Sequence, residues 1–174
     1  MNRSRKITYS AVGAAVAAVC VFLTNFGWLK VSLLMCAALC YYIVCVKCGF
    51  WYGLGGIIVS LLLAVFVGGV FSFSAFILDA LVFAPFAILS YFIRKLYYTK
   101  WQTFLARMAI MAAFANLALC AIWFCAKWIT TIDIVAIAGK VGGYPLLALI
   151  FTVFALIFDI LFNQLSIRVV KLIK

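Results

Sequence analysis

The sequence predicts an all-α integral membrane protein, a bundle of six transmembrane helices with both termini in the cytoplasm. Three observations predict it. Hydrophobic residues make up 71% of the 174-residue chain and the mean hydropathy is +1.34, more apolar surface than a soluble domain of this length can hide. Charged residues are only 10% of the chain, well below the roughly one quarter of soluble domains. Most of those charges fall between apolar runs long enough to cross a bilayer. The expected organisation is a single transmembrane domain over residues 1–174, with no room for a soluble catalytic or nucleotide-binding domain.

A span needs about 20 apolar residues. The uncharged run that begins at Ile7 predicts the first, residues 7–28. "NRSRK" ahead of it looks like the start of a secretory leader. The run is longer than a leader core, however, and its small residues stand at its start rather than at a cleavage end, so a retained span is expected. The second, 31–46, lies between Lys30 and Lys47. Cys48–Leu78 carries no charge and is too long for one crossing. Glycine loosens helices and favours turns, so Gly68-Gly69 divides the run into a third span, 49–68, and a fourth, 72–93. Met108–Ala126 marks the fifth, 103–126, and the sixth is 144–167.

Six spans bring both termini to one side. Eleven of the 14 Lys and Arg residues fall on that side, and only Lys30, Lys127 and Lys140 on the other. Basic residues in short loops stay cytoplasmic, which orients the bundle. The net charge of +11 is therefore read as topology and contact with the bilayer. Binding to nucleic acid is not expected, because no loop offers a groove or platform.

Ionisable residues inside spans are costly and face a partner or a cavity. The three acids are Asp79, Asp133 and Asp159. Arg107 and Asp159 fall at matching depth in the inner half and are expected as a buried structural pair, with a functional role left open. Asn163 extends that strip one turn on. Asp79, about 10 Å below the outer end of its span at 1.5 Å per residue, and Asn116 fall in the outer half. They predict a pocket open to the outside, with a plain helix–helix hydrogen bond as the alternative. Trp28, Phe73, Trp123, Trp128 and Tyr144 gather at the same level. An interfacial belt explains each singly; together with the polar groups beneath, they form candidate walls for a ring-bearing small molecule. The apolar outer segment 126–143, interrupted by Asp133, reads either as a cap over that site or as a loop lying on the bilayer.

Cys45 and Cys48 form a C-x-x-C, but the chain has no histidine and no four-ligand zinc set; free thiols on a reducing side are expected. The absence of His and Glu excludes the zincin motif, and no phosphate-binding G-x-x-x-x-G-K-[ST] occurs. Neither a metal, a cofactor nor enzymatic activity is expected. Uptake against a gradient would draw its energy from a partner.

"SAVGAAVAA", residues 10–18, contains nothing larger than valine. With the basic start "NRSRKIT", "GFWYGLGGIIVSLLLAVFVGG", the basic "IRKLYYTK" turn and the last helix "FDILFNQLSIRVVKLIK", it resembles the S components of energy-coupling factor (ECF) vitamin transporters. These are six-span substrate-binding subunits with both termini inside. The resemblance is one of pattern over nearly the whole chain. It implies high-affinity binding of a vitamin or related micronutrient from outside. It also implies docking on a membrane coupling (T) subunit driven by two ATPase subunits, and toppling in the bilayer to release the substrate. The family's docking surface is an A-x-x-x-A pattern on the first helix; here it corresponds to Ala11/Ala15 and Ala14/Ala18, with Gly13/Ala17 as a third small pair. The implied substrate region holds Asp79, Asn116 and the outer aromatics. The chain lacks the Met-His start of the metal-binding branch. Two other readings stay open: a scaffold similar to the rod-shape-determining membrane protein D, and a small secondary carrier. A carrier would show a continuous polar path or repeats with broken helices, and no repeat is seen.

Overall fold

The computed structural model describes residues 2–24, 26, 30–68, 73–94, 101–125, 139 and 142–172, apart from the side chains of 67, 68, 73, 74, 171 and 172. Among the described residues every regular element is helical. In order they are α1 (Arg3–Leu23), α2 (Lys30–Cys48), α3 (Phe50–Gly68), α4 (Phe73–Leu78), a π-helical turn (Asp79–Phe83), α5 (Ala84–Phe92), α6 (Trp101–Cys125) and α7 (Tyr144–Leu172). Five stretches are long and apolar enough to cross a membrane: α1, α2, Ala75–Phe92, α6 and Tyr144–Val170. The described part of α3, Phe50–Phe66, is a shorter apolar helix. Helices satisfy their own backbone groups where no water can. Large apolar side chains such as Leu117 and Phe124 of α6 and Leu149 of α7 are exposed, as a lipid-facing surface requires. The chain is a multi-pass helical membrane protein.

Two helix boundaries differ from the apolar runs in an informative way. α1 starts at Arg3 and α7 runs on to Leu172, beyond the expected limits of residues 7 and 167. Arg and Lys are good helix formers whose long stems keep the charge in water, so the helix outlasts the apolar run. Between α2 and α3 stands one residue, Gly49, with φ of 100°. That left-handed geometry suits the residue just past a helix C-terminus and costs glycine nothing. Its N–H donates to the Cys45 carbonyl (3.1 Å), and its own carbonyl accepts from the Gly53 N–H (3.1 Å).

The chain forms two compact units, one from α1–α5 and the other from α6 and α7. In the first, α1, α2 and α3 pack mutually and α2 also packs on α5. On α2, Tyr41 meets Ser60, and Cys45 faces Gly53. The contact positions fall on one helix as they rise on the other, so α2 and α3 are antiparallel. Close approach is bought with missing side chains. A Cβ at Gly13 would stand 2.5 Å from Val44 Cγ2, and one at Gly53 would collide with Cys45 Sγ and lie 3.0 Å from Cys45 Cα. One at Gly56 would press on Ser10 Oγ at 3.1 Å. Ser10 in turn donates to the Tyr52 carbonyl at 2.8 Å, tying α1 to α3. Ala17, Val21, Ala37, Ala38 and Cys45 are fully buried in this unit.

In the second unit, Arg107 meets Asp159, Asn116 meets Thr152, and Cys120 meets Tyr144, so α6 and α7 are antiparallel. One stripe of α6 (Arg107, Met111, Ala115, Ala118, Leu119 and Ile122) is buried at helical spacing.

Two glycines only two residues apart, on different faces of α3, test this packing. Gly53→Ala forces a Cβ into the Cys45 backbone and is expected to cost about 1–3 kcal/mol. Gly55→Ala meets nothing within 4 Å, and the helical propensity of alanine makes it neutral or stabilising by about 0.5–1 kcal/mol. Thermal unfolding in detergent separates them; equal melting temperatures for the two would refute the close contact.

Candidate functional site

Polar side chains in these helices form three separate groups. The first is an ion pair. Arg107 Nε donates to Asp159 Oδ2 and Nη2 to Oδ1, both at 2.7 Å, and Nη1 donates to Asn163 Oδ1 at 3.4 Å. Arg107 is 1% exposed and Asp159 not at all. The fork of the guanidinium matches both carboxylate oxygens, which makes a buried charge pair tolerable. Asp159 and Asn163 are four residues apart, so both face Arg107; Ser166 Oγ donates to the Asn163 carbonyl at 2.9 Å. Gln164, one position on, is exposed and takes no part.

The second group lies in the other unit. Tyr41 Oη donates to Asp79 Oδ2 at 2.7 Å and contacts Ser60 Oγ at 2.9 Å. Asp79, Ser60 and Tyr41 are all buried, and Asp79 Oδ1 has no hydrogen-bond partner. Asp79 opens the π-helical turn, in which the Ala84 N–H returns to the Asp79 carbonyl. Pro85 follows; its ring crowds the carbonyl four residues back and it donates no N–H, a local cause for a widened turn. Asp79 thus faces its own unit, toward α2 and α3. Neither Tyr41 nor Ser60 stood out in the sequence. A hydroxyl in each of two neighbouring apolar helices was the available signal, but it could not be paired without the register.

The third group runs along the seam of α6 and α7. Asn116 Nδ2 donates to the Ala112 carbonyl at 2.8 Å and to Thr152 Oγ1 at 3.2 Å, so the helix–helix hydrogen bond does form. One turn on, Cys120 Sγ lies 3.0 Å from Tyr144 Oη. The Tyr144 ring stands edge-on to Trp123 at 5.4 Å between centroids and 86° between planes. Asn116, Cys120 and Trp123, at i, i+4 and i+7, share one face, and Asn116 and Cys120 are exposed. Cys120 and Thr152 are additions to the residues expected here. Trp28 and Trp128, most of the outer segment 126–143, and the side chain of Phe73 lie outside the described residues.

The small residues of α1 divide between two faces. Ala14, Ala17 and Ala18 are buried, and Gly13 is half-buried against Val44. Ala11 and Ala15 are exposed. Beside them a groove of about 250 Å³ runs between α1 and α3, lined by Ala11, Ala14, Gly55 and Gly56, with Trp51 and Tyr52 at one end. Lys6 Nζ lies over the Tyr52 ring, 5.7 Å from its centroid. Among the described residues no cluster of three or more His, Cys, Asp or Glu could hold a metal, and all seven cysteines are free thiols.

The chain matches no protein-family model, no curated protein and no solved structure.

Removing one partner of a buried ion pair leaves the other uncompensated. Arg107→Met and Asp159→Leu are each expected to lose about 3–5 kcal/mol, and the double variant far less than their sum. Unfolding of the set in detergent gives the coupling; additive losses would show that the pair is energetically idle.

Proposed function

We propose that the chain is the high-affinity substrate-binding subunit of an ECF-type importer in the cell membrane, taking up a vitamin or related micronutrient from outside. Its energy comes from two partner ATPases through a membrane coupling subunit. The observation that carries this reading is the exposed small-residue face of α1. Ala11 and Ala15, four residues apart, stand beside a groove floored by Ala14, Gly55 and Gly56. Small residues at this spacing let a helix of another subunit approach the backbone closely without any projecting side chain. In this reading the energy for uptake against a gradient is supplied by that partner. The docking pattern is narrower than its first form: Ala11 and Ala15 offer the surface, while Ala14 sits at the base of the groove and Ala17 and Ala18 pack within the unit.

In this reading both termini are cytoplasmic and the α6–α7 seam carries the substrate contacts. Asn116 supplies an amide, and Trp123 and Tyr144 supply ring faces to a flat ligand. Asp79 is not among the proposed contacts, because it is fully buried and already holds a hydroxyl.

Ala15→Trp is expected to leave substrate binding by the isolated subunit intact while abolishing uptake in cells; equal loss of both would overturn the docking role. The substrate itself is sought by mass spectrometry of small molecules released from the purified protein. Recovery of none, together with co-purification of wall-synthesis proteins, would replace the importer with a scaffold.

A further inference from the structure

Asp79 and Asp159 are both buried carboxylates in apolar helices, and the chain treats them in opposite ways. Asp159 has an arginine whose two N–H groups cover both of its oxygens at 2.7 Å. Asp79 has one hydroxyl on Oδ2, nothing on Oδ1, and no ion pair among the described residues. Its neighbours add no positive charge. α2 brings Tyr41 and Cys40, α1 brings Cys20, α3 brings Ser60, and on α4 and α5 the only other titratable group is Tyr91 at the far end. An ionised carboxylate with one hydrogen bond and no counter-charge is among the costliest groups to place in a dry interior.

We propose that Asp79 is a proton-binding site, holding its carboxyl as the neutral acid within a chain of hydroxyls that runs from Asp79 through Tyr41 to Ser60. The O–H bond forms on Oδ2, with the proton taken from water. The 2.7 Å contact with Tyr41 Oη is kept with its polarity reversed, the acid donating and the phenol oxygen accepting. Tyr41 then donates to Ser60 Oγ across 2.9 Å, a contact in which either hydroxyl can serve as the donor. Oδ1 becomes a carbonyl oxygen, and leaving that without a partner costs far less than leaving a carboxylate oxygen bare. With the proton in place the three side chains stay hydrogen-bonded and no uncompensated charge is left in the interior. The site opens the π-helical turn, a break in helix geometry that recurs where helices carry function. This assignment is independent of the importer reading and stands whether or not the chain transports a vitamin.

The acids of the chain number only three, all aspartates, so carboxyl carbons labelled with ¹³C in aspartate give a spectrum simple enough to read. The experiment uses the full chain in lipid nanodiscs at pH 7, where an ordinary aspartate is ionised. One resonance of the three is expected at the position of a protonated carboxyl, and Asp79→Asn is expected to remove it. Should that variant fail to fold, Asp159 is identified by its coupling to ¹⁵N-labelled arginine and Asp133 by Asp133→Asn, leaving Asp79 by elimination. An ionised Asp79 at pH 7 overturns the assignment. So does an Asp79 that is ionised in sodium and protonated only when sodium is withdrawn, which would make the site one for a metal cation.

Discussion

The distance at which two helix backbones can meet governs the α1–α5 unit. In lipid the tails are as apolar as any side chain, so burial alone gives helices little reason to associate; dispersion contacts between closely fitted surfaces must do it. Gly13 against Val44, Gly53 over Cys45 and Gly56 beside Ser10 mark three points where α1, α2 and α3 come together without intervening side chains. Two of the three converge on neighbouring residues of α2, Val44 and Cys45. That one turn of α2 acts as the keel on which its two neighbours rest. The Tyr41 contact to Ser60, one turn farther along, depends on the separation that these residues set.

Two ways of placing a carboxylate in an apolar helix coexist in one short chain. Arg107 neutralises Asp159 with matched geometry, and Asn163 occupies part of the remaining donor capacity. The cost of desolvating both ions makes such a pair poor as a source of stability and good as a constraint on register, because no other alignment of α6 and α7 matches both forks. Around Asp79 the partners are hydroxyls, Tyr41 directly and Ser60 through it, with no ion pair among the described residues. Such a network also constrains its surroundings, since Tyr41 must stay within reach of both Asp79 and Ser60.

Most of the helical architecture is legible in the sequence because hydropathy reports directly on the solvent a segment occupies. The six apolar runs correspond to six helical stretches, and the matching depths of Arg107 and Asp159 already mark them as neighbours. Residues at α-helical spacing along a single chain segment, such as Asp159 with Asn163, are equally readable. What sequence does not carry is the azimuth of one helix about its axis relative to the next. Ala11 and Ala15 face out while Ala14 and Ala18 face in, a distinction hidden within a uniform run of small residues. Asp79 turned toward Tyr41 for the same reason: the π-helical turn inserts an extra residue, and no hydropathy pattern records it. The turn at Gly49 is legible only in part: Lys47 marks the break between the two apolar runs, but nothing in composition or charge shows that one left-handed residue makes it.

That single residue has a mechanical consequence. A connection of one residue spans less than 4 Å and holds no slack, so α2 cannot slide along α3 or swing far from it without breaking the turn at Gly49. The two helices are coupled as one stiff hairpin, and α1 is keyed to both through Gly13 and Ser10. Any large rearrangement of this protein in the bilayer must therefore carry α1, α2 and α3 together as a single lever, and its pivots must lie elsewhere in the chain.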